Sequence, residues 1–132
     1  MHRVWKHILI ITPLFAFVAL MGLIIFYPVP KPPAGEMASA RSAISMAFKK
    51  NAAIYSEALY IEAKNCYDSA MTYWKTENEK GIYSRDYKKV SEYASLAAKK
   101  AFEASNDAEN NTSNLKITIQ EKIASLKETD ER

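Results

Sequence analysis

The chain has 132 residues, two histidines, one cysteine and a formal net charge of +3 at pH 7. That length suits one domain, and a lone cysteine excludes an intrachain disulfide and any Cys-rich metal site. The charge excludes a nucleic-acid binder: Arg3, Lys6 and Lys31 lie in the first 35 residues, which hold no acid, and residues 36–132 balance 15 Lys/Arg against 15 Asp/Glu, whereas a phosphate-binding surface concentrates cations on the folded part.

Residues 1–7 hold His2, Arg3, Trp5, Lys6 and His7 and are expected in the cytoplasm. Residues 8–27, ILIITPLFAFVALMGLIIFY, carry no charge. As a helix they rise ~30 Å, the thickness of a bilayer's hydrocarbon core. Trp5 and Tyr27 bracket the run, as amphipathic rings do at membrane interfaces. Pro13 lies near the helix start, where the lost amide bond matters least. A cleaved signal peptide is the rival reading. The run is longer than the usual apolar region of about 7–15 residues, and the nearest small-x-small site, Ala38-Ser39-Ala40, lies beyond a proline cluster. An uncleaved transmembrane anchor is therefore expected. Arg3 and Lys6 precede it and Lys31 alone follows closely, which puts the N-terminus inside and the rest outside, on the periplasmic face of a bacterial inner membrane.

Residues 28–35, PVPKPPAG, place four prolines in six positions. Polyproline II geometry makes this a stiff spacer; a ligand for a proline-recognition domain is the alternative.

After Pro33 there is no proline, and after Gly35 the only glycine is Gly81. Met37, Ile44, Phe48, Ala52, Tyr55, Leu59, Ala63, Cys66, Ala70 and Tyr73 recur at helical spacing, as do Val90, Ala94, Ala97, Ala101, Ala104, Ala108, Leu115, Ile119, Ile123 and Leu126. The chain is read as all-α: a transmembrane helix, a Pro-rich spacer, and a long antiparallel two-helix hairpin of coiled-coil type over 36–127. Its helices are expected at about 37–80 and 85–127, with a turn at 81–84 and a frayed tail at 128–132. Gly81 is expected to end the first helix in a left-handed conformation, and Ser84 to cap the second. If the turn centres near Tyr83, Ala52 faces Leu115, Phe48 faces Ile119, Leu59 faces Ala108 and Ala70 faces Ala97. Glu77 and Glu79 then face Lys88 and Lys89. Asn110–Asn114 are poor helix formers, and the second helix either continues through them or breaks there.

Residues 36–132 contain no histidine, P-loop, nucleophile elbow or dinucleotide glycine motif. Neither an enzyme nor a cofactor or metal site is expected. Apolar residues off the main stripe, among them Ile54, Tyr60, Ile61, Tyr67, Met71 and Phe102, widen the apolar face beyond one partner helix, so a homo-oligomer or a protein partner is expected. Cys66 falls on the buried stripe; it is either a small core residue or an interchain disulfide in an oxidising compartment. The aromatics around Gly81 lie at the hairpin tip, read as the point farthest from the membrane. Tyr73 and Tyr87 fit internal packing, which leaves Trp74, Ile82 and Tyr83 as candidates for meeting a partner.

Ala52-Ala53-Ile54-Tyr55, then Ala58-Leu59 and Ala63, then Asp86-Tyr87 opening an alanine-rich helix, resemble an uncharacterised bacterial family of short helical hairpins tethered in the cell envelope. The resemblance covers residues 40–108. Many members carry a lipoprotein signal, and some are joined to peptidoglycan-binding modules of the outer-membrane-protein-A or LysM type. Two departures stand out: Ser56-Glu57 occupies the place of a family proline, and a hydrophobic span replaces the lipid-bearing cysteine. The resemblance implies a helical fold and an envelope location; the family has no established activity. The expected role is structural, adaptor or assembly work in the envelope; the alternative is binding of peptidoglycan or another envelope polymer through the aromatic tip.

Overall fold

The computed structural model describes residues 2–131, with side chains described from residue 11 onward. Every regular element among the described residues is helical. They run α1 (His2–Phe26), α2 (Ala34–Lys49), α3 (Ala52–Tyr55), α4 (Glu57–Asn78), a 3-10 turn (Ile82–Ser84) and α5 (Lys88–Asp130).

The expected single helix over 37–80 is three pieces. Lys50 and Asn51 donate their backbone N–H groups to Met46 and Phe48. Asn51 then turns left-handed at φ 60°, alone among the described non-glycine residues. Asparagine tolerates this region better than any other residue with a side chain of its size, and Lys49-Lys50 supply the cations favoured at a helix C-terminus. The Asn51 carbonyl accepts from Ile54 and Tyr55, which starts the single turn of α3. Ser56 links α3 to α4; its hydroxyl is buried without a hydrogen-bond partner.

This break makes a three-helix bundle of the expected hairpin. α2 runs parallel to α5: Ser91 Oγ donates to Glu36 at one end (3.5 Å), and Lys50 pairs with Glu109 at the other (2.6 Å). α4 runs antiparallel to α5, with Glu62 against Lys100 (3.2 Å) and Tyr73 stacked on Tyr93. The α4–α5 pair is thus the expected hairpin, and α2 is a third helix laid along α5. Val90, Ala94, Ala97, Ala101, Ala104 and Ala108 form the fully buried seam of α5. Alanines let helix axes approach to about 8 Å, the close end of the usual range. Met37, Ala40, Cys66 and Ala70 cover the first half of that seam, and Ala47, Ala52 and Ala63 the second.

Of the expected facing pairs, Ala70 and Ala97 share one core layer, and Leu59 packs against the layer of Ala108. The pairs Ala52–Leu115 and Phe48–Ile119 do not form. Ala52 lies in the Ala108 layer, Phe48 lies against Tyr60 on the surface, and Leu115 and Ile119 are exposed. The reason is the chain reversal at Asn51, which folds 34–49 back along α5 and withdraws the partner that 113–127 was expected to have. α5 nevertheless continues unbroken through Asn110–Asn114 to Asp130. At 1.5 Å per residue it is ~65 Å long, and its last ~27 Å project beyond the bundle.

The turn between α4 and α5 also differs from expectation. Gly81 has φ −57° and ψ 147°, an extended conformation open to any residue. Ser84 sits inside the 3-10 turn, and Tyr87 occupies the cap position of α5. Side chains do the work assigned to glycine. Arg85 donates to the carbonyls of Asn78 (3.0 Å) and Lys80 (3.1 Å), which satisfies the end of α4. Asp86 Oδ1 accepts the Lys88 N–H at 3.0 Å and starts α5.

Because α2 begins at the turn end of the bundle, α1 leads into that end. The Tyr27 ring lies edge-on to Tyr83, with centroids 5.9 Å apart. The aromatic tip is therefore next to α1, and the far end is the Asn51 turn with the α5 projection beyond it. Among the described residues no helix is long and apolar enough to cross a membrane. The start of the expected span at 8–10, and the Arg3, Trp5 and Lys6 side chains used to orient it, lie outside the described side chains. From Ile11 to Tyr27 the apolar side chains are exposed almost throughout, for example Phe15 at 76% and Phe26 at 88%.

Candidate functional site

Two features of the bundle surface stand apart from its packing. The first is the aromatic tip. Glu77 organises it from a nearly buried position. Its carboxylate accepts from Lys80 Nζ (2.6 Å) and from the Asp86 backbone N–H (2.8 Å). The Asp86 N–H, then Lys80 and more distantly Lys89, hold its pKa below the ordinary carboxylate value. The expected meeting of Glu77 with Lys88 and Lys89 across the turn is thus mainly a bond to Lys80 and the Asp86 backbone. Lys89 instead lies 5.1 Å from the centre of the Tyr73 ring, a cation–π contact.

Trp74, Ile82 and Tyr83, the expected partner-binding residues, have separate surroundings. Trp74 is half-buried, edge-on to Tyr87 with centroids 6.4 Å apart. Tyr87 is anchored in turn by its hydroxyl, which donates to Asn78 Oδ1 at 2.6 Å. Tyr83 meets Tyr27, and Ile82 is 52% exposed.

The second feature is a groove of about 1100 Å³ lined by α2, α4 and the Glu79 that ends α4. α5 packs against both helices. Met37, Met46, Tyr67, Met71 and Trp74 give the groove its apolar character; Arg41, Lys49, Lys75 and Glu79 are its charged residues. Arg41 Nε donates to the Tyr67 hydroxyl at 3.3 Å. Trp74 thus belongs to both features. Periodicity could not reveal the groove, because it exists only once α2 folds back.

Cys66 is a free thiol in the core layer beside Met37 and Ala70. Burial, then the nearby Glu62 charge, push its pKa up, and Lys100 pulls it down. The protonated thiol is the unreactive form. Among the described residues no group of acidic, histidine or cysteine side chains could hold a metal ion.

The chain matches no family model, and no curated protein or solved structure is significantly similar to it.

Proposed function

We propose that the protein is a membrane-tethered helical module of the bacterial envelope, with its bundle outside the cytoplasmic membrane and a structural or assembly role rather than a catalytic one. The uncovered apolar surface of residues 11–27 carries this reading: its apolar side chains are exposed almost throughout, with Tyr27 against Tyr83 where it meets the bundle. A helix apolar on all sides needs a lipid or protein environment. With residues 8–10 the run reaches the ~20 residues that span a bilayer. The bundle surface adds a balanced charge and no acid–base or nucleophilic constellation. The resemblance to envelope-tethered hairpins agrees with this role.

Alkaline carbonate extraction of membranes from cells expressing the full chain tests the tether. The chain should stay in the pellet, and a variant lacking residues 1–27 should leave it. Release of the full chain by carbonate would overturn the reading. Retention on insoluble peptidoglycan, lost in Trp74→Ala and Tyr83→Ala, would replace the assembly role with polymer binding.

A further inference from the structure

The bundle lacks a fourth helix, and the chain carries a helix that lacks a bundle. Leu115, Ile119, Ile123 and Leu126 continue the seam of α5 past the point where α2 and α4 stop, and each is 49–70% exposed. Thirty ångströms or so of amphipathic helix with a continuous apolar stripe has no reason to stand alone in water. The α2–α4 groove is the complementary defect. Its α2 wall is 16 residues long and so ~24 Å, against ~27 Å for 113–130.

The extension cannot reach its own groove. α5 is uninterrupted to Asp130, with neither glycine nor proline in it, so residues 113–130 point away from the bundle that α5 starts in. The extension can fill such a groove only in another molecule. We propose that residues 113–130 of one copy lie in the α2–α4 groove of a second copy, reciprocally, so that two chains complete two four-helix bundles in an antiparallel dimer. Reciprocity closes the assembly at two, because each copy offers one groove and one extension.

Charge does not oppose this occupant: residues 113–130 balance Lys116, Lys122 and Lys127 against Glu121, Glu128 and Asp130. An extension entering from the Asn51 end would carry Asp130 toward the Lys75 end of the groove. The same seam of α5 would then be buried along its whole length, its first half within the chain and its second half between chains. The inference rests on the proposed tether in one respect: α1, held in lipid, leaves the groove to another helix.

The test uses the full chain purified in mild detergent. Light scattering or mass photometry should give a dimer, and Ile119→Asp with Ile123→Asp should weaken it at least about tenfold. These two side chains are exposed, so the bundle should keep its helical signal and melting transition. Ser42→Cys protein mixed with Ile123→Cys protein should give a bismaleimide-linked heterodimer, with the parent chain, whose sole cysteine is buried, as the blank. Ile123→Cys linking only to itself would show extensions pairing with each other and would overturn the proposal. A monomeric parent chain, or a dimer indifferent to the Asp pair, would overturn it equally.

Discussion

The Asn111 side-chain amide donates to the backbone carbonyl of Tyr55 across 2.8 Å, tying the end of α3 to the middle of α5. A residue from a stretch of low helix propensity thus closes the far end of the bundle. The bond satisfies a carbonyl that a one-turn helix leaves without an internal partner. Asn111→Ala should lower unfolding stability by about 0.5–1.5 kcal/mol, read as a shift in the urea midpoint with an unchanged slope. An unmoved midpoint would mean that water replaces the amide at no loss.

Asn51 should be replaceable by glycine and by little else. A residue with a Cβ costs about 1–2 kcal/mol in the left-handed region, and asparagine escapes part of that. Asn51→Gly is expected to unfold at or above the parent midpoint, and Asn51→Ala below it by about 1 kcal/mol. Equal midpoints for the two would show that the α2–α3 break does not depend on this backbone conformation.

Gly81 should prove dispensable. Its backbone is open to any residue, and a Cβ placed there meets nothing within 4 Å. Gly81→Ala removes unfolded-chain freedom and should stabilise by about 0.4–1 kcal/mol. Thermal melts of the two proteins decide it; a lower melting temperature in the alanine variant would restore the left-handed cap.

Glu77 should make the tip sensitive to acid. Its folded pKa lies below its unfolded value, so the unfolded chain takes up the proton first as pH falls. The contribution is complete above its ordinary value of 4.5 and is lost as pH drops through the lowered folded value. Glu77→Gln should therefore narrow the stability difference between pH 7 and pH 3, measured by urea titration at each pH. A parent and variant with parallel pH profiles would contradict the assignment.

Cys66 should react slowly. Its burial and raised pKa disfavour the thiolate that attacks disulfide reagents. Aromatic disulfide reagent should modify it at the rate of unfolding in native buffer and within seconds in denaturant. A disulfide-linked dimer on a non-reducing gel would instead revive the interchain crosslink.

The all-helical class and the seam Val90–Ala108 are legible from residue spacing, because one buried face per 3.6 residues leaves its period in the sequence, and the short connection around Gly81 makes the pairing with residues 57–78 antiparallel. The Lys49-Lys50-Asn51 signal was also present, a basic last turn followed by an αL-tolerant residue. It is a weak signal for a break, because the stretch holds neither glycine nor proline and the apolar stripe runs through it unbroken. Periodicity records which face of a helix is buried, not what buries it. Whether the helix over 37–80 continued or folded back was therefore decided by packing: the alanines of α2 find the same seam of α5 that α4 uses. That single reversal moved the tip beside α1, separated the surroundings of Trp74 and Tyr83, opened the groove, and left Leu115–Leu126 uncovered. The sequence by itself determined the helices and their apolar faces, through local spacing and charge. Only the tertiary structure decided that α2 lies on the same face of α5 as α4, because that choice depends on contacts between residues more than fifty positions apart.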